Sequence, residues 1–161
     1  MGKSASRVKH HYQPNDITCG PATLKMIGDA LGLTTTISIE EIADRCGTNE
    51  DVGTTDVMMA TGMRAIGIPF RIGTSRGPED LAAFLHGGGY VILRTLTRDI
   101  KHWIALYAFE DGKFKAADPW LGDIEYTPEE IVSIWKPRDY FYFEVPGQRS
   151  VAERVVERLL R

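Results

Sequence analysis

In the stretch "QPNDITCGPAT", residues 13–23, one cysteine stands between a threonine and a Gly-Pro pair. A nucleophilic role for Cys19 explains more of these neighbours than simple filler would. If Gly20 and Pro21 open a helix, the thiol sits over its N-terminus. Unsatisfied N–H groups and the positive end of the dipole favour a thiolate there. Glycine at position 20 would also let another backbone, such as a substrate's, approach closely. The competing reading is a small buried hydrophobe.

A thiolate nucleophile needs a base, a group that orients the base, and donors for developing negative charge. Of the four histidines, His10 and His11 fall in an N-terminal arm, and His86 ends a helix beside the glycines at 87–89. His102 opens the apolar run "HWIALYAF", where a sheet would hold its ring. The run "AADPW" follows across Asp111-Gly112, a strong hairpin signal, so antiparallel pairing brings Asp118 toward His102. A carboxylate on the far ring nitrogen would fix the tautomer and stabilise the imidazolium. Gln13 precedes Cys19 with the turn-prone "PND" between them. Its side-chain amide and the Cys19 backbone N–H could converge on an oxyanion. Each residue also has a plainer reading: a structural strand histidine, a turn-forming aspartate before proline, a solvated loop glutamine. Their joint order favours the chemistry.

The elements that must position these residues divide the chain in two. Helical spacing predicts a first helix from about Gly20 to Leu31, with Leu24, Ile27 and Leu31 on one face. A capping-box pattern at Ser38–Glu41 opens a second helix that runs to Gly47. A third covers roughly Thr55 to Ile66, and a fourth starts at Pro78 and stops at the triple glycine. Then "YVILRTL", "HWIALYAFE", "KFKAAD", "DIEYT" and "DYFYFEV" read as short strands. A further helix, from Thr127 to Trp135, interrupts them. Helices first and antiparallel strands second is an α+β order. The expected layout is a flexible arm over 1–10, one domain over 11–147 and an amphipathic C-terminal helix over 148–161.

With 161 residues, 43% apolar content and a net charge near -3, the chain suits one soluble domain without a basic field for nucleic acid. It lacks a signal-peptide core and a membrane-length apolar run, so a cytoplasmic, reducing setting is expected, in which Cys19 and Cys46 stay free. Cys46 closes the second helix and reads as structural. Trp103, Trp120 and Trp135 read as core or cleft-wall packing. "RTLTRDIKH" reads as a charged connection and cleft rim, where Arg98 or Lys101 could meet a substrate carboxylate. The glycine-bearing loops lack the lysine-serine ending of a phosphate cradle.

The segments "HYQPNDITCGPATLKMIGDALGL" and "HWIALYAFEDGKFKAADPWLGDIEYTPEEIVSIW" together resemble the bacteriocin-processing cysteine peptidases, which remove double-glycine leaders and often head ABC exporters. The resemblance runs from about His11 to Trp135. It implies a papain-like fold with the cysteine helix packed on a C-terminal antiparallel sheet. By position it makes Cys19 the nucleophile, His102 the base, Asp118 the orienting group and Gln13 the oxyanion donor. Where that family usually has aspartate before the cysteine, this chain has Thr18. The expected substrate is a peptide or protein handled by a stand-alone domain, alongside a transporter or biosynthetic partner and without a cofactor or nucleic acid. Two other readings stay open: an acyl or peptidyl transferase with the same thioester step, and a non-catalytic peptide-binding domain, against which the retained cysteine argues.

Overall fold

The structure is a computed structural model that describes residues 8–147 and 159–160. Three helices come first: α1 (Cys19–Ala30), α2 (Ile39–Cys46) and α3 (Asp56–Ile66). After them run β1 (Arg71–Ile72), α4 (Pro78–His86), β2 (Tyr90–Thr97), β3 (Ile100–Glu110), β4 (Lys113–Asp118), β5 (Gly122–Tyr126), α5 (Pro128–Trp135) and β6 (Tyr142–Val145). A 3-10 turn at Lys136–Arg138 links α5 to β6. The helix boundaries follow local chemistry. Ser38 and Thr55 accept the N–H groups of Glu41 and Met58, and Thr127 with Glu130 forms a complete capping box. Gly47 and Gly67 end α2 and α3 in the left-handed conformation.

All strand pairs are antiparallel, in the order β1-β6-β2-β3-β4-β5. Helices cover both faces. Tyr90, Ile92, Trp103 and Ala105 pack with α1–α3, whereas Val91, Leu93, Ile104 and Leu106 pack with α4 and α5. That is why "YVIL" and "WIAL" are continuous apolar runs instead of alternating ones. No described helix is long and apolar enough to cross a membrane.

Four expectations need adjustment. First, α1 begins one residue early, at Cys19 itself. Second, the connection "RTLTRDIKH" is strand almost throughout. Thr97 pairs with Ile100, leaving Arg98 and Asp99 as a two-residue turn with φ of 51° and 62°. Such a turn matches strand twist without the usual Asn-Gly letters. Third, β1 and the late start of β6 were not legible. Asp139 and Tyr140, expected in the strand, adopt positive φ. Fourth, the arm expected to be loose over 1–10 is anchored at its inner end: Val8 is buried in the α1–α3 core. Most of the amphipathic helix expected over 148–161 lies outside the described residues.

β3 carries one more residue than β4 between Leu106 and Ala108. This bulge fixes the site. An unbroken ladder from the Asp111-Gly112 turn would put Asp118 opposite Ala105, on the side of Trp103. The observed pairing of Ala105 with Ala117 carries Asp118 one place further, beside Ile104 and on the same face as His102.

Candidate active site

Cys19 is held by a turn that folds onto Asn15. The Asn15 side chain accepts the Ile17 N–H at 3.1 Å, and its carbonyl accepts the Thr18 hydroxyl at 3.2 Å. Thr18 is buried at the N-cap, with its hydroxyl turned back to Asn15 instead of into the helix. As the first helical residue, Cys19 keeps an N–H without an intrahelical acceptor. One turn on, the Thr23 hydroxyl bridges the carbonyls of Cys19 (2.8 Å) and Trp103 (3.3 Å), tying the helix start to β3. Gly20 is buried, and a Cβ there would lie 2.7 Å from Met59 Sδ and 2.9 Å from Thr54 Cβ. Its missing side chain therefore makes room for this chain's own α3 and the loop before it. The expected approach of a substrate backbone at Gly20 is corrected accordingly.

His102 and Asp118 are 8% and 3% exposed, and Nε2 of His102 lies 2.7 Å from Oδ1 of Asp118. The same Oδ1 accepts the N–H groups of Trp120 (2.8 Å) and Leu121 (3.1 Å), so the Asp-Pro turn clamps the carboxylate. With Nε2 engaged, Nδ1 is the ring nitrogen left for Cys19, whose half-buried thiol shares the cleft with the ring and acts on it electrostatically. Burial alone would lower the pKa of His102. The hydrogen bond that the ring donates to Asp118, the interaction with Cys19 and its thiolate charge, and the charge of Asp118 override it and push it up to about 9. Burial likewise opposes ionisation of Asp118, and His102 with the two N–H groups outweighs it, holding the carboxyl below its ordinary range. Trp120 stands edge-on to His102, 6.4 Å between ring centroids, and remains 57% exposed, while Trp103 is the tryptophan that lines the cleft.

Gln13 enters this neighbourhood through its backbone. Its N–H donates to Pro119 at 2.8 Å, its side-chain amide donates to the Asn15 carbonyl at 2.7 Å, and Oε1 is buried without a partner. His10, set aside on sequence grounds, donates from Nε2 to the Asp118 carbonyl at 2.6 Å. His11 pairs with Asp29 instead, and His86 is exposed at the end of α4. Cys46 is buried, with its thiol pushed up to about 12 by burial, as suits a structural residue. Among the described residues, no group of three or more His, Cys, Asp or Glu side chains is placed to hold a metal ion.

Cys19 and His102 open into a cleft of about 540 Å³ between the loop before α3 and the start of β3. Lys101 lines it, and Arg98 at the hairpin tip does not. Arg94, Asp56 and Arg138 also line it, and sequence reasoning missed all three. The one available signal was an arginine interrupting the buried run "YVILRTL"; "KPRD" gave none.

The model of the Peptidase C39 family matches residues 7–140. The chain belongs to that family. Among solved structures, the fold resembles a double-glycine motif protease from an AMS/PCAT transporter, in complex with the leader peptide. The TM-score is 0.73 at 20% identity, over 89% of this chain and 95% of that one. It also resembles the peptidase domain of Streptococcus ComA, a bi-functional ABC transporter (0.72, 18% identity, 88% and 100% covered). A third likeness is to a C39-like peptidase from Bacillus anthracis (0.69, 14% identity, 90% and 97% covered). No curated protein matches significantly. The α+β architecture, cysteine helix against antiparallel sheet, is thus the papain-like fold of C39 peptidases.

Proposed function

We propose that this C39 family member is a cysteine peptidase that cleaves a peptide through a thioester acyl-enzyme. The observation that carries the reading is His102, held between the Cys19 thiol and the clamped Asp118 carboxylate at the cleft. Nδ1 of His102 takes the thiol proton, and Cys19 Sγ attacks the carbonyl carbon. The oxyanion forms at the Cys19 N–H. A side-chain amide has two N–H donors, and Gln13 spends one on Asn15, leaving the second for the oxyanion. Collapse breaks the C–N bond as the imidazolium protonates the leaving amine. Water, deprotonated by His102, then releases the acid and restores the thiol. Asp118 keeps Nε2 protonated so that Nδ1 is the nitrogen that exchanges protons.

The substrate class follows from the family. One neighbour binds a leader peptide and carries a double-glycine motif specificity, and we infer the same class here: a leader removed from a peptide destined for an ABC transporter or a biosynthetic partner, in the cytoplasm. The test is thiol reactivity. Iodoacetamide should alkylate Cys19 rapidly at about pH 6, and His102→Ala should slow it. Alkylation no faster than that of an ordinary exposed thiol overturns the reading. Trapping the acyl-enzyme on a leader peptide and offering water, amines and thiols then identifies the acceptor. Discharge by an added amine in preference to water would make the protein a transferase.

A further inference from the structure

Beyond Cys19, His102 and Asp118, the cleft is divided by charge. Its loop wall carries Asp16, Glu50 and Asp51, all exposed, and its sheet side carries Arg94 and Arg138. Arg94 is largely committed. Nη2 donates to the Arg138 carbonyl at 2.9 Å, Nη1 lies 3.7 Å from Asp56, and the guanidinium sits 4.4 Å from the centre of the Phe141 ring. Its Nε is buried without an acceptor. Arg138 gives one N–H to the Thr95 carbonyl at 2.9 Å, and among the described residues it has no carboxylate partner. A guanidinium has five N–H donors in a planar fork, so most of this one is unused.

Among the described residues, the ion-pair contact of these two adjacent guanidiniums is that of Arg94 with Asp56 at 3.7 Å. Burial and the charge of Arg94 both push the pKa of Arg138 down, while the charges of Cys19, Asp56 and Asp139 act the other way. Arg138 and Cys19 line the same cleft. The backbone beyond it is strained: Asp139 and Tyr140 hold φ of 59° and 57°. Non-glycine residues rarely adopt that region, and strain of this kind gathers at ligand sites.

We propose that Arg138, backed by Arg94, is a specificity subsite for a carboxylate of the substrate peptide, beside the bond that Cys19 attacks. The proposal rests on the peptidase reading and deepens it. A glycine pair offers the arginines only neutral backbone carbonyls, whereas an Asp or Glu side chain nearby would supply a charged planar acceptor. The acids on the opposite wall would turn such a group toward the sheet.

The test compares alkylation of Cys19 by iodoacetate and by iodoacetamide, which differ in carrying a carboxylate. The iodoacetate-to-iodoacetamide rate ratio should fall about tenfold in Arg138→Gln, the size of one charge-assisted hydrogen bond. It should recover in Arg138→Lys and stay unchanged in Arg98→Gln at the hairpin tip. A ratio unmoved by Arg138→Gln, or moved equally by Arg98→Gln, overturns the subsite. Slow reaction of wild-type Cys19 with both reagents strikes the peptidase reading instead, and the ratio still reports on Arg138. The unaltered protein provides a check that folding of a variant cannot spoil. N-acetylglutamate α-amide should protect Cys19 from iodoacetamide better than N-acetylglutamine α-amide, and equal protection overturns the proposal. N-acetylglycine reports whether a chain-terminal carboxylate serves as well, and stronger protection by it would assign the subsite to that source.

Discussion

Exchanging Asp118 for asparagine removes a charge and leaves a carbonyl-type oxygen where Oδ1 now stands, 2.7 Å from Nε2 of His102. The N–H groups of Trp120 and Leu121 would hold that oxygen in place, so the ring keeps its orientation and tautomer. What changes is the balance on the imidazole. Burial opposes its charge, and the hydrogen bond and charge of Asp118, with the interaction of Cys19, lift it to about 9. Without the Asp118 share, the ring should titrate at or below the ordinary histidine value of about 6.5. A fall of about two units corresponds to roughly 3 kcal/mol of imidazolium stabilisation. At about pH 7.5 the protonated fraction would drop from nearly all to about one tenth, and alkylation of Cys19 through the ion pair should slow about tenfold. The stability consequence has a definite sign. A folded-state pKa above the unfolded one stabilises fully below about pH 6.5, and that contribution is lost as pH rises to about 9. Wild type should therefore lose stability across that window, and Asp118→Asn should stay flat. The ring titration can be followed by NMR, beside the alkylation rate. A His102 that still titrates near 9 in the variant would refute the argument.

Two further outcomes follow from packing. Gly20→Ala should lower stability in urea by about 1–3 kcal/mol, because its Cβ meets Met59 and Thr54; truncating Met59 in the same chain should return part of the loss, and an unchanged midpoint in the single variant would contradict the packing account. Ellman's reagent should titrate one thiol in the native protein and a second only on denaturation, since Cys46 is buried with a thiol held near 12. Rapid titration of both in the native state would show that α2 opens readily.

Much of this fold is written in short-range chemistry. Capping residues and terminal glycines mark α2, α3 and α5 because the signal lies within a few residues of what it specifies. The pairing of His102 with Asp118 was legible in outline because one tight turn joins their strands. Its detail was not: simple counting from Asp111-Gly112 puts Asp118 on the wrong face, and the bulge that corrects it has no glycine to announce it. The role of Gly20 was misread because Met59 and Thr54 are distant in sequence. Arg138 was invisible for the same reason. It reaches the cleft through a turn with left-handed Asp139 and Tyr140, in letters that read as strand.

The bulge between Leu106 and Ala108 gives the β3–β4 hairpin something like a reading frame. Side chains along a strand alternate with a period of two, so the site depends on the register between His102 and Asp118 as well as on their identities. Many substitutions along that stretch leave the register intact. Removing the extra residue at the bulge would close the ladder with Leu106 still opposite Ala116 and Asp118 still beside Ile104. Closing the ladder with every residue kept would instead turn Asp118 to the far face, with every letter of the Cys19, His102 and Asp118 set still present. Within this hairpin the residue count and the bulge are matched: losing one without the other is a change at the active site, and losing both together leaves Asp118 on the face of His102.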